Sequence, residues 1–414
     1  MIEISTLAYW VWLSSLSGVG AVTATALLRH FGTPEKIFLA EAKEYQAVEG
    51  LKSLDVSLLK KEKIESANKI LASCAEIDCR VLTQQDAEYP DRLRNIYDSP
   101  IILYVCGSLP VIDDEPVVAI VGTRHCSPYG LSAADSIGYE LAVRGLVVAT
   151  GLARGIDSAA ARGALRGGGR VIGVVGSGLD IIYPRENKAL FKDVTRSGAL
   201  ISEYPPGSAA LPAHFPARNR IISGVSLGVA IIEAPRRSGA LITANRALEQ
   251  GKDVFTLPAN VDAKSSEGSN ALLKEGAIPI LRGEDIVHEY ADMFPDKIKA
   301  DDHTLSYPHD SRGTGHQRSS RNSGENDVGN AIDVGLKDID NAPEVEYIDF
   351  DEIVNALAGD ERIVAAAIGC SVAQVDEIIV NSGLPAQRVM TALTLLELKG
   401  YAARENSLYK ISNP

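Results

Sequence analysis

Three short stretches combine glycine with a phosphate-compatible group: Gly122-Thr-Arg-His125, Gly151-Leu-Ala-Arg-Gly-Ile-Asp157 and Gly176-Ser-Gly178. Glycine lets backbone N–H groups approach an anion, and the N-terminus of a following helix adds a favourable partial charge. Arg124 and Arg154 supply forked donors matched to phosphate oxygens. Gly122, Gly151, Ser177 and Gly178 are candidate binding residues beside them. Three such loops on neighbouring strands would converge on one crevice, which predicts an anion or nucleotide pocket.

Three further stretches extend the candidate site. Tyr183-Pro-Arg-Glu-Asn-Lys-Ala-Leu-Phe191 places Lys188 and Phe191 three apart on a helix. A cation beside an aromatic suits a backbone phosphate with a stacked base, although the same spacing fits a core phenylalanine beside a solvated lysine. Phe215-Pro-Ala-Arg-Asn-Arg-Ile-Ile222 sets Arg218 and Arg220 around the amide Asn219, more cationic than a plain surface turn requires. Ser238-Gly-Ala-Leu-Ile-Thr-Ala-Asn245 opens a helix with Ser238 and Gly239, which reads either as another amide-rich anion seat or as simple capping by the serine.

Other chemistries lack their residues. The phosphate loop GxxxxGK[ST] is missing, which disfavours ATP hydrolysis of that type, and no GxGxxG follows a strand. No nucleophile–base arrangement has local support; His125 and His214 are the histidines near strand ends, and a lone histidine there is more often a hydrogen-bonded loop residue. Cys74, Cys79, Cys106, Cys126 and Cys370 make no CxxC pair and read as reduced thiols, and the seven histidines lack ligand spacing. The expectation is no metal and no cofactor.

The elements that must position these residues lie between Val117 and Leu281. Apolar, β-branched runs alternate with helical stretches at Val117–Val121, Leu146–Thr150, Arg170–Val175, Ala199–Glu203, Gly228–Glu233, Asp253–Leu257 and Ala277–Leu281, with Cys79–Thr83 and Ile101–Cys106 before them. Continuous apolar strands followed by glycine and helix indicate a doubly wound parallel sheet covered on both faces, with ligands at the strands' carboxyl ends.

Ahead of the sheet, Leu16-Ser-Gly-Val-Gly20 turns between two helices, the second ending at Gly32. This is a helix-hairpin-helix pattern, whose turn amides can meet a DNA phosphate, or else a small bundle that only packs on its neighbour. A polar Ser/Gly/Asp/Asn-rich stretch over 295–344 predicts a flexible linker. Beyond it, Val372–Val380, the turn Asn381-Ser-Gly-Leu384 and Pro385–Lys399 form two helices, and Tyr401–Arg404 with Ser407–Ile411 form a two-stranded wing. The recognition helix of this winged-helix tail has only Arg388 and Lys399 as cations, leaving partner docking and a DNA role both open.

The net charge of −13 argues against a nucleic-acid partner until it is divided along the chain. Residues 116–288 hold 19 basic and 15 acidic side chains, a local +4, against −6 before and −11 after them. No apolar run approaches the roughly 18–20 residues of a membrane helix. The first cation is Arg29, unlike the charged start of a secretory signal.

Taken together, Val117-Ala-Ile-Val-Gly-Thr-Arg124, Gly151-Leu-Ala-Arg-Gly-Ile-Asp157, Gly176-Ser-Gly-Leu-Asp-Ile-Ile-Tyr-Pro184, Ser202-Glu-Tyr-Pro205, Phe215-Pro-Ala-Arg-Asn-Arg-Ile-Ile222 and Ser238-Gly-Ala-Leu-Ile-Thr-Ala244 closely resemble the DNA-processing protein A (DprA/Smf) family. The resemblance implies an α/β extended Rossmann-like domain over 76–294. It also implies an N-terminal helical (helix-hairpin-helix/SAM-like) domain over 1–75 and a winged-helix domain over 345–414. It implies a cytoplasmic, non-enzymatic binder of single-stranded DNA that forms a homodimer, protects incoming strands and loads the recombinase RecA during natural transformation. By motif, Arg124 is expected to hold phosphate, Lys188 and Phe191 to contact the strand, and Arg218 and Arg220 to belong to the family's Arg-Asn-Arg signature. Two departures bear on loop geometry: Ala161 stands where members usually have histidine, and Ala259 where they have glycine. The alternative is a nucleotide-processing enzyme of the phosphoribohydrolase type, whose acid pair has no counterpart in Arg236-Arg-Ser-Gly-Ala-Leu241.

Overall fold

The structure, a computed structural model, describes residues 5–48, 63–299, 357–368, 373–405 and 408–411. These fall into two compact units, one reaching residue 299 and one starting at 357. Cys370 and the histidines at 303, 309 and 316 lie outside the described residues, as does all of the expected linker after residue 299.

The first unit opens with helices α1 (Thr6–Ser15), α2 (Ala21–Phe31), α3 (Pro34–Leu39) and α4 (Ile64–Glu76). Six consecutive residues of α1, Ala8 to Leu13, are buried, so this helix is covered on every side rather than amphipathic. The α1–α2 turn uses Gly18 at φ 80°, and Gly32 at φ 84° ends α2, as the glycine spacing predicts. Trp12 packs edge-on against Phe38 at 5.0 Å. The same apolar cluster continues through Ile101, Tyr104 and Cys106 into the sheet, so no separate core divides the chain at residue 75.

Nine strands form the sheet: β1 (Cys79–Thr83), β2 (Ile102–Gly107), β3 (Val117–Val121), β4 (Val147–Thr150), β5 (Val171–Val175), β6 (Ala199–Ser202), β7 (Gly228–Ile231), β8 (Asp253–Thr256) and β9 (Ile278–Pro279). Their order is β1-β2-β6-β5-β4-β3-β7-β8-β9. The seven strands from β6 to β9 run parallel; β1 and β2 join antiparallel on the β6 edge, with Cys79 opposite Cys106. The sheet is therefore mixed at that edge. Strands β3, β4 and β5 are buried along their whole length, which matches their unbroken apolar runs. Burying each valine or isoleucine there contributes about 1.5–3 kcal/mol.

Crossover helices cover both faces: α6 (Pro128–Val143), α7 (Ile156–Arg166), α8 (Lys188–Ser197), α9 (His214–Gly224), α10 (Gly239–Glu249), α11 (Glu267–Lys274) and α12 (Gly283–Tyr290); a single-turn helix, Asp91–Arg94, precedes β2. Winding reverses between β3 and β7, the position at which doubly wound sheets open a ligand crevice. Strands β6 and β7 end earlier than their apolar runs suggest: Glu203 pairs with Arg220 of α9, and Glu233 accepts the Ser127 N–H of the loop after β3. After α12 the chain stays packed to the last residue described. Lys297 Nζ donates to Glu115 at 2.9 Å, Ile298 is buried, and the Lys299 amide donates to the Arg144 carbonyl at 2.9 Å. Lys297 to Lys299, inside the stretch expected as linker, are thus packed on the first unit.

The second unit contains α13 (Gly359–Ile368), α14 (Val375–Ser382), α15 (Ala386–Leu398) and a sheet ordered β10 (Ala373–Gln374), β12 (Leu408–Ile411), β11 (Ala402–Glu405). Its core is Val364, Ile368, Ile378, Val389, Leu393 and Leu396. Gly383 at φ 65° and Gly400 at φ 78° make the two turns, and the antiparallel β11–β12 pair is the wing.

Candidate functional site

Asp157, in the first turn of α7, lies where the first two glycine loops meet. It is 4% exposed and accepts the backbone N–H of Gly122 at 3.2 Å and of Gly151 at 3.1 Å. Burial pushes its carboxyl up, against the pull of Arg218, the Gly122 amide and Arg124. Gly151 has no room for a side chain: a Cβ there would sit 2.6 Å from both Arg218 terminal nitrogens and 2.7 Å from Asp157 Oδ2.

A second buried carboxylate holds the loop after β3. Glu233, 1% exposed beyond β7, accepts the Ser127 N–H at 3.0 Å and the Ser127 hydroxyl at 3.0 Å. The Glu233 carbonyl accepts the Thr123 N–H at 2.7 Å. Ser127 in turn caps α6 by accepting the Gly130 N–H at 3.0 Å. At the two ends of the first loop, the Gly122 amide and the Ser127 N-cap of α6 therefore face carboxylates of the chain itself.

Arg218, Asn219 and Arg220 differ from the expected exposed binding set. All three are buried on α9, the arginines at 4% and 6% exposure. Arg218 Nη1 donates to the Gly151 carbonyl at 2.9 Å and to the Val174 carbonyl, tying the ends of β4 and β5 together. Burial lowers the pKa of its guanidinium to about 10, with Asp157 opposing that shift. Asn219 Nδ2 donates to the Gly239 carbonyl at 3.2 Å. Arg220 Nη2 donates to both Glu203 oxygens at 2.7 Å, and its Nε lies 3.4 Å from Asp98. Two guanidinium groups with such partners are braces for strand ends.

The third loop closes on itself. Ser177 is 2% exposed and donates its hydroxyl to the Ile181 carbonyl at 3.1 Å, and the Gly178 N–H donates to Ser208 at 2.9 Å. Ser238 caps α10 by accepting the Ala240 N–H at 3.3 Å, with Gly239 exposed beside it. Phe191 is 1% exposed in the core with Leu190 and Val194, so its ring is not open to a base. Lys188, the first residue of α8, is exposed.

What remains on the surface is a connected rim. The Arg124 guanidinium stands over the half-buried Phe215 ring, 5.1 Å from its centroid, and Tyr183 meets Phe215 at 5.5 Å. The Ile156 N–H donates to the Thr123 carbonyl at 3.3 Å, which joins this loop to that of Arg154. Arg154 is 59% exposed and pairs with Glu186, two residues before Lys188. Of the two phenylalanines, Phe215 rather than Phe191 reaches the surface. Phe215 opens the arginine motif, three residues before Arg218, and that spacing is the signal in the sequence.

Family comparison follows this geometry. The family described as DNA recombination-mediator protein A matches residues 80–291, which contain the sheet and every loop of the rim. The chain belongs to the DNA-processing protein A family. A DprA winged-helix domain matches residues 351–406. The DNA processing protein DprA of Streptococcus pneumoniae is 44% identical over 202 residues, 49% of this chain and 71% of that protein. Protein Smf of Synechocystis is 38% identical over 279 residues, 66% and 70% of the two chains. The X-ray structure of DprA from S. pneumoniae aligns with a TM-score of 0.60 at 32% identity, covering 70% of this chain and 99% of that one. Among the described residues no helix is long and apolar enough to cross a membrane.

Within the winged helix Arg388 of α15 and Lys399, just after that helix, are engaged. Arg388 donates to Asp360 at 2.7 and 2.5 Å, and Lys399 donates to Glu361 at 2.9 and 2.7 Å. Both carboxylates belong to the first turn of α13. The outward face between them, Gln387, Met390, Thr391, Thr394, Leu395 and Leu398, carries no formal charge.

Proposed function

We propose that this protein is a recombination mediator that binds single-stranded DNA along the rim of Arg124, Phe215, Arg154 and Lys188, outside the carboxyl ends of the sheet. The observation that carries the reading is the Arg124–Phe215 pair, a guanidinium over a half-buried aromatic at the mouth of the crevice. A cation for phosphate beside a ring for base stacking suits an unpaired strand, because stacking is worth about 1–3 kcal/mol per base and tolerates any sequence. The local charge of +4 over 116–288 favours the same ligand. Membership of the family supports the further steps, namely homodimerisation, protection of incoming DNA and loading of RecA onto it in the cytoplasm during transformation. The protein acts on this reading as a binder without chemistry of its own.

The test compares single-stranded with duplex oligonucleotides of equal length over a salt series. Single-strand affinity is expected to dominate and to fall by about 0.7 log units per log unit of salt for each phosphate contacted. An Arg124→Ala, Lys188→Ala double variant with unchanged affinity would end this proposal.

A further inference from the structure

A doubly wound sheet ordinarily takes a phosphate at its switch point, on the amides after the first strand and the N-terminus of the helix that follows. In this chain the Gly122 and Ser127 donors of that position already face carboxylates. The Gly122 and Gly151 amides converge on Asp157 at 3.2 and 3.1 Å, with the Arg218 guanidinium against the same glycine. At the start of α6, Ser127 gives its N–H and hydroxyl to Glu233, and a Cβ on Gly130 would fall 1.9 Å from Glu233 Oε2. Both carboxylates are nearly fully buried.

We infer that Asp157 and Glu233 are resident anions that fill the phosphate seats of the fold and exclude free phosphate, pyrophosphate and mononucleotides from the crevice. Each presents two oxygens to a pair of donors, as a phosphate would, and each is supplied by an element that closes over the seat. An incoming phosphate would meet a like charge and donors that are already engaged. Only a strand long enough to lie across the external rim is then retained. That last step rests on the nucleic-acid reading above, whereas the filling of the seats stands on geometry alone. Asp157 and Glu233 are positioning residues: they act on ligand choice by holding the loops and occupying the donors.

The full-length protein is titrated with pyrophosphate and with deoxythymidine monophosphate at matched ionic strength. The same anions are used as competitors for a fluorescent oligothymidylate. Wild type is expected to show no saturable binding of either small anion and no competition beyond the ionic-strength effect. Asp157→Ala is expected to gain pyrophosphate binding by about tenfold or more, the scale of one newly available set of charge-assisted hydrogen bonds. Formate, which replaces the missing carboxylate, should raise the melting temperature of Asp157→Ala and leave wild type unchanged. Glu233→Gln should show a separate gain at the α6 seat.

Pyrophosphate binding by wild type in competition with DNA would overturn the inference. So would folded variants that gain nothing from pyrophosphate or formate. If Asp157→Ala does not melt cooperatively, recovery in formate supports the assignment and no recovery counts against it. Failure of wild type to bind oligothymidylate would remove the nucleic-acid reading but leave the gain of small-anion binding as an independent result.

Discussion

Arg124 lies over the face of Phe215, its guanidinium carbon 5.1 Å from the ring centroid. The contact holds the cation against an aromatic that has a second neighbour in Tyr183. Phe215→Ala is therefore expected to weaken single-strand binding by about five- to tenfold, through loss of stacking and of the cation's support. Phe215→Tyr should keep most of the affinity. Anisotropy titrations of the two variants decide it, and equal losses in both would contradict the stacking role.

Phe191 should behave in the opposite way. Its ring fills the core beneath α8, so Phe191→Ala is expected to cost about 3–5 kcal/mol of stability by opening a cavity. Chemical denaturation measures the loss. At a temperature where the variant is folded, its oligonucleotide affinity should stay within about twofold of wild type.

Arg218 and Arg124 are also separable. Removing Arg218 takes a donor from the Gly151 and Val174 carbonyls and a cation from beside the buried Asp157, an effect of about 3 kcal/mol or more on stability. Arg218→Lys cannot reproduce the fork and should melt well below wild type. Arg124→Lys should melt like wild type and lose only affinity, with the salt slope nearly unchanged because the charge is kept.

Glu115 gives a dependence on pH. Burial raises its carboxyl, but hydrogen bonds and charge from Arg170 and Lys297 outweigh that and hold it below the ordinary glutamate value. A carboxyl depressed in the folded state adds stability above its unfolded pKa, about 4.3, and loses it as pH falls through the folded value. The stability difference between wild type and Glu115→Gln should therefore be constant near neutrality and shrink from about pH 5 downward. Urea midpoints of both proteins at several pH values test this, and a difference that grows on acidification would refute it.

The winged helix offers little free positive charge along α15. Arg388→Ala and Lys399→Ala should each change duplex affinity by less than about twofold, since both side chains are engaged by Asp360 and Glu361. Duplex gel shifts with the full-length variants provide the check. A loss of tenfold would mean that these cations leave their carboxylates for DNA.

Much of the fold is legible in the sequence because its strands are buried on both faces. Val117–Val121 and Val171–Val175 are unbroken, β-branched apolar runs of five residues, each followed by glycine, and length, branching and that glycine together mark a strand rather than a buried helix such as α1. The antiparallel turn of β1 and β2 is not legible, since a five-residue apolar run has no direction. The site is half legible. Arg124, Arg218 and Arg220 are the same residue type near strand ends, yet α9 turns its arginine face inward against Glu203 and the β4–β5 carbonyls. Lys188 and Phe191 share a face by spacing alone, but Lys188 stands at the exposed first position while Phe191 joins Leu190 and Val194 in the core. Asp157 and Glu233 were hidden for a related reason: an acid after a glycine loop reads equally as solvent-facing, and only the loop geometry shows which amides it accepts.

The far edge of the sheet has a consequence for assembly. Just after β9 the Ile280 N–H points inward to the Thr256 carbonyl, so the residue before it must turn its amide outward, away from β8. That residue is Pro279, which has no N–H to give. A second chain arriving at this edge finds a two-residue strand with its outward donor deleted. Among the described residues the ladder ends here, and a contact between copies on this side is favoured through side chains such as Leu281, 75% exposed, over a shared sheet.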